Sequence, residues 1–222
     1  MGLDDRSRRR RDLLELAIGY TLILLVIWTP RPWQRILYCF AAIYLIAILW
    51  RSFAGWPAMG LRTANLARSA WIAAVAALMA AIAIFIAHRQ HTLNLPDSVP
   101  AFIQRYWGYA LWAFAQQALL QDFFLARFRR LIPNPTLAAL AATLTFSLAH
   151  LPSPILTAVT FVWGLAACLL FLRYRNLYPL ALAHAIFGIA IAVTLPGPLT
   201  RNMRVGLGYL TYAQRHNSHR GH

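Results

Sequence analysis

Residues 114–124 read FAQQALLQDFF, inside a run that is otherwise apolar enough for a membrane helix. Gln116, Gln117, Gln121 and Asp122 stand where hydrocarbon favours leucine. Polar groups at that depth cost free energy unless they find partners, which makes them functional-site candidates by default. Two later apolar runs each carry a histidine. His150 follows Phe146 by four residues, and His184 precedes Gly188 by four. An i, i+4 spacing sets both members of each pair on one helix face. Gln117 and Gln121 share that spacing, with Gln116 the next position round. Asp122 falls roughly 140° from Gln117 on a regular helix, so it need not face the same cavity, and it lies one turn before Arg127 and two before Arg129. Amides and imidazoles can bind and orient a polar group, and a histidine has a pKa suited to general-base work.

Each of these residues also has a plainer reading. Glutamine and histidine side chains bond neighbouring membrane helices, for about 0.6–2 kcal/mol each. Asp122 suits an interface ion pair with an arginine. Thr143, Thr145 and Ser147 suit back-bonding to their own helix. The functional reading gains from convergence, since three separate helices supply polar groups and two of them supply a histidine. Two histidines without a carboxylate beside them are too few ligands for a metal, and no cofactor is expected.

The elements that must position these residues are membrane spans. The chain has 222 residues, 60% hydrophobic and 12% charged. This excludes a disordered chain and does not fit an ordinary soluble domain. Several runs reach the ~20 residues that cross a bilayer core of ~30 Å. The expected fold is all-α, a polytopic bundle of about seven transmembrane helices, near 13–30, 34–50, 69–87, 107–126, 136–150, 155–172 and 178–195. The organisation is a basic arm over 1–12, N-terminal spans and loops over 13–106, a core over 107–195 and a basic tail over 196–222. The first run is an anchor helix rather than a cleaved signal peptide. Apart from Glu15 at the start of the first span, Asp122 is the only acid within a span. Cys39 and Cys168 lie in apolar spans without metal-type spacing and suit packing.

Net charge is +15, and all 21 basic residues are arginine. They cluster at the ends of apolar runs, which suits topology signals and anionic headgroups rather than nucleic acid. An N-terminus inside puts the arm, 51–68, 127–130 and 173–175 on the arginine-rich side. The basic tail then falls outside, in conflict with the same rule, and its side stays open. The expectation is a multi-pass protein of the cell membrane, a bacterial inner membrane, with a cytoplasmic N-terminus.

The order of these features resembles the CPBP family, the CAAX prenyl protease 2 and lysostaphin-resistance-protein-A-like proteins, also called the ABI family. Its core carries EExxxR, then FxxxH, then HxxxN or HxxxD on successive helices. The matching strings are QQALLQD (116–122), FSLAHL (146–151) and HAIFG (184–188). ARFRRL after the first, and WGLAACLLFLRYRNLYPLALAH between the others, match in character. The resemblance covers about 107–193 and implies intramembrane proteolysis. A glutamate activates water there. A second glutamate and the arginine position it, and the histidines and asparagine form an oxyanion pocket or, in another reading of the family, bind a metal. In this chain Gln116, Gln117 and Gln121 stand at the Glu–Glu–Arg positions and Gly188 at the asparagine, while Phe146, His150 and His184 match. Neutral amides keep hydrogen-bonding capacity but supply no base. Replacing all three charges together avoids leaving one unpaired.

Three readings stay open. One is a CPBP-type protein without proteolysis that binds a membrane protein or lipid as a scaffold. Another is a hydrolase or lipid-modifying enzyme using His150 or His184, with Asp122 as a further candidate, on a peptide or prenylated substrate. The third is a structural or transport protein.

Overall fold

The protein is described here as a computed structural model covering residues 3–217, with side chains over 5–212. Among the described residues it is all-helical, with no strand. The main helices are α1 (Leu3–Trp28), α2 (Trp33–Arg51), α4 (Trp71–Arg89), α5 (Val99–Ala118), α7 (Pro135–Leu148), α8 (Pro154–Tyr174), α9 (Leu177–Thr194) and α11 (Gly206–Asn217). Shorter pieces are α3 (Leu66–Ser69), α6 (Ala126–Leu131) and α10 (Gly197–Thr200). Between α5 and α6 the chain winds as a π-helix over Leu119–Leu125.

Each expected span overlaps a helix, the one at 107–126 running from α5 through the π-helical turn, and the ends follow local chemistry. Ser98, Asn134 and Asn176 cap α5, α7 and α9 with their side chains, and a proline follows the cap of α5 and α7 within the first turn. These oxygens satisfy N–H groups that the helix itself leaves open. α1 begins at Leu3, ten residues before the expected span, so the basic arm is helical where described. Asp12 at the end of the arm and Glu15 one turn on tie α1 into the fold.

Among the described residues, four helices are long and apolar enough to cross a membrane: Trp33–Arg51, Leu66–Arg89, Pro154–Tyr174 and Leu177–Thr194. α7 is apolar but has only 14 residues. Large side chains such as Ile43, Leu78, Phe85 and Val162 are exposed. So many exposed apolar groups suit lipid rather than water.

The chain gathers into two compact units, each built from separated stretches. Unit 1 holds Met1–Phe53, Leu120–Leu169 and Arg204–His222. In it α1 packs on α2, α6 and α11, and α6 on α7. α7 turns Ala138, Ala139, Ala142 and Thr143 inward and Leu137, Leu140, Leu144 and Leu148 outward. Small residues inside permit close helix approach, which is how membrane helices gain packing energy. Unit 2 holds Ala54–Leu119 and Leu170–Met203. It is built around α9, which packs on both α4 and α5. Ala181, Ala183, Ala185, Gly188 and Ala190 on α9 are buried.

Candidate functional site

In unit 2, α5 and α9 bring two of the expected residues together. Gln117 is fully buried, His184 nearly so, and the Gln117 amide nitrogen lies 3.1 Å from His184 Nδ1. An amide N–H₂ only donates, so Nδ1 accepts and the ring carries its proton on Nε2. His184 so held is a hydrogen-bond donor at Nε2 rather than a base there. Gln116, the adjacent position, is half-buried and makes no side-chain hydrogen bond among the described residues.

One turn further along α9, Gly188 meets α5 again. A Cβ built at Gly188 would overlap the hydroxyl and ring of Tyr109. The space a side chain at 188 would need is filled by a phenol from α5. The absence of a side chain at 188 is therefore a packing requirement. Tyr109 also carries a hydroxyl into the α5–α9 seam. No spacing in the sequence marks this tyrosine; only the missing side chain at 188 hints that something else fills the space.

In unit 1, His150 stands in the turn that follows α7, two residues past its last residue Leu148. Its Nδ1 donates to the Phe146 carbonyl at 3.1 Å, and the two rings lie 5.4 Å apart. The i, i+4 pairing expected from sequence is thus present. With Nδ1–H committed to a carbonyl, Nε2 carries the lone pair, which is the arrangement of a neutral base. Gln121 is buried and hydrogen-bonds the Cys168 thiol, which also receives the Thr143 hydroxyl at 3.7 Å. Cys168 is accordingly a packing residue with polar neighbours.

Asp122 lies within the π-helical turn, so regular helical arithmetic does not apply to it. A π segment takes more residues per turn and often accompanies functional sites. Here it lets Leu120, Gln121, Phe123, Phe124 and Leu125 all be buried, more than an α-helical face would hold. The carboxylate that pairs with Arg127 among the described residues is Glu15. Arg127 donates to the Asp122 and Phe123 carbonyls and, through Nε, to Glu15 at 2.8 Å. Arg129 donates to the Pro133 carbonyl.

Glu15 is the residue the sequence reading passed over. Its side chain is 9% exposed and pairs with Arg127, itself 1% exposed, which also stacks over Phe123 at 4.4 Å. The other oxygen pairs with Arg51 and lies 3.8 Å from Arg11. One turn earlier, Asp12 takes a two-pronged bond from Arg130 at 2.7 and 2.8 Å. Two acids on α1 thus hold α6, and one of them also holds α2. Intramembrane rarity was the available signal, since few acids occur in the spans.

No three His, Cys, Asp or Glu side chains gather as metal ligands among the described residues. No curated protein and no solved structure matches the chain. The motif positions 116–122, 146–151 and 184–188 all fall within 98–190, and that segment matches the family model for type II CAAX prenyl endopeptidases, Rce1-like, the CPBP family to which the order of motifs had pointed.

Proposed function

We propose that this is a multi-pass membrane protein, CAAX-protease-like in its core, that binds a membrane-embedded or prenylated peptide, or a lipid, without hydrolysing it. The observation that carries this reading is the buried Gln117–His184 bond. At the position where the family resemblance puts a carboxylate, a neutral amide occupies the imidazole nitrogen. The pair keeps hydrogen-bonding groups at this depth and supplies no carboxylate base to a water. Retained hydrogen-bonding groups without that base suit binding. The proposed frame has about seven spans in the cell membrane, with the N-terminus and the arginine-rich loops on the cytoplasmic side.

A second reading has its own support. His150 holds its proton on Nδ1, leaving Nε2 able to take a proton from water. On that reading the protein is a hydrolase with His150 as general base.

The test is a proteoliposome assay with a farnesylated peptide carrying a fluorophore on each side of the scissile region. Wild type is compared with His150→Ala, His184→Ala and the triple variant Gln116→Glu/Gln117→Glu/Gln121→Arg. Binding without turnover in wild type, weakened by His184→Ala, is the expected result. Turnover in wild type that disappears in His150→Ala would overturn it in favour of the second reading.

A further inference from the structure

A second polar feature of unit 2 lies where α3, α8 and α9 meet. Arg62, Ala64, Asn65, Arg68, Arg173 and Tyr174 line an open cleft of about 700 Å³. Its wall is firmly built. Leu177 donates its N–H to the Gly60 carbonyl at 2.9 Å, and Arg175 donates to the Ala58 carbonyl at 2.7 Å. Buried Asn176 donates to the Arg62 carbonyl and to Asn65 Oδ1, at 3.1 and 2.9 Å. Arg62 Nη2 and the Asn65 amide both donate to the Tyr174 carbonyl. Gly60 takes φ +74°, and a Cβ there would strike Phe171 and crowd the Leu177 N–H. These bonds bind the 54–65 loop to the α8–α9 junction and fix the backbone behind the arginines.

The charge balance of the cleft is one-sided. Unit 2 carries seven arginines and a single carboxylate, Asp97, which precedes α5 and is not among the lining residues. Arg68 and Arg173 are exposed and make no ion pair among the described residues; Arg173 stacks on the Tyr174 ring at 5.4 Å. Arg62 has five N–H donors and gives one to Tyr174, with its Nε buried and without an acceptor among the described residues. Three guanidinium groups around one opening form a site for an oxyanion with several acceptor oxygens.

The position narrows the ligand. Three candidate spans share this end: one starts at Leu66, one ends at Tyr174 and one starts at Leu177. Trp71 and Tyr174 pair beside it, Nε1 to Oη at 3.4 Å, as aromatic side chains do at the headgroup level. His184 lies about 10 Å further along α9 by helical rise, so this cleft is a different feature from the Gln117–His184 pair.

We infer that the Arg62–Arg68–Arg173 cleft binds a phosphate group, that of an anionic phospholipid headgroup or of a free phosphate ester. The inference needs only that the spans lie in a membrane and is independent of what the α5–α9 seam binds.

The test uses the full-length protein in nanodiscs of phosphatidylcholine with or without phosphatidylglycerol, and reads retained lipid by native mass spectrometry. The variants are Arg68→Gln/Arg173→Gln, at exposed positions, and Arg89→Gln/Arg105→Gln, which removes equal charge elsewhere in the unit. The single Arg68→Gln guards against misfolding of the double variant. Wild type is expected to retain phosphatidylglycerol over phosphatidylcholine, the cleft double variant to lose about tenfold of that preference, and the control to keep it. Glycerol phosphate added as competitor separates the sources. Displacement identifies a soluble phosphate ester, and resistance identifies the lipid; either supports the phosphate site. A cleft variant that retains phosphatidylglycerol like wild type overturns the inference, as does an equal loss in the control.

Discussion

The Tyr109 hydroxyl occupies the place where a side chain at Gly188 would begin. The two residues belong to α5 and α9, whose packing forms much of unit 2. A missing side chain on one helix is matched by a large one on the other. Such complementarity is what close packing of an interior demands.

Gly188→Asn therefore tests the seam directly. The new side chain overlaps Tyr109, and overpacking of this kind costs about 1–3 kcal/mol. Tyr109→Ala in the same chain is expected to recover much of that loss. Unfolding in mixed micelles measures both. If the double variant is no more stable than Gly188→Asn alone, Tyr109 is not what excludes a side chain at 188.

The Gln117–His184 bond specifies a tautomer. Nitrogen-15 spectra of histidine-labelled protein are expected to report His184 as the neutral Nε2–H form. Gln117→Leu removes the donor, shifts the Nδ1 signal, and costs about 0.6–2 kcal/mol, the range for hydrogen bonds between membrane helices. A His184 signal of the Nδ1–H form, or one indifferent to Gln117→Leu, would show that the amide does not set the ring.

Glu15 separates a buried ion pair from an exposed one. Arg127 is 1% exposed, and removing its carboxylate partner leaves a buried guanidinium uncompensated. Glu15→Gln is expected to cost about 3–5 kcal/mol. Arg51 reaches the same glutamate from a side chain 60% exposed, so Arg51→Gln is expected to cost about 1 kcal/mol or less. Equal losses would mean that burial does not govern this cluster. Arg127→Met combined with Glu15→Gln is expected to recover part of the loss, because neither charge is then left alone.

The sequence by itself determined the all-helical class and the order of the apolar helices, but not the helices α10 and α11 within the 196–222 tail. Runs of apolar residues specify spans, because a backbone in lipid must satisfy its own hydrogen bonds. Only the structure showed that Asn134 and Asn176 cap α7 and α9, where a side-chain oxygen meets open N–H groups. The polar residues worth examining were also legible, since Gln117 and His184 stand out against hydrocarbon. Only the tertiary structure decided which of them meet. Gln117 and His184 are 67 residues apart and Glu15 and Arg127 112, and no local period links either pair. The π-helical turn takes Asp122 outside the phase argument, because a spacing rule assumes a regular winding that Leu119–Leu125 does not have. Tyr109 was unmarked because no spacing within α5 reports what packs against it. A residue's own neighbours in sequence state its type and its face, whereas the space it fills is set by the helix packed against it.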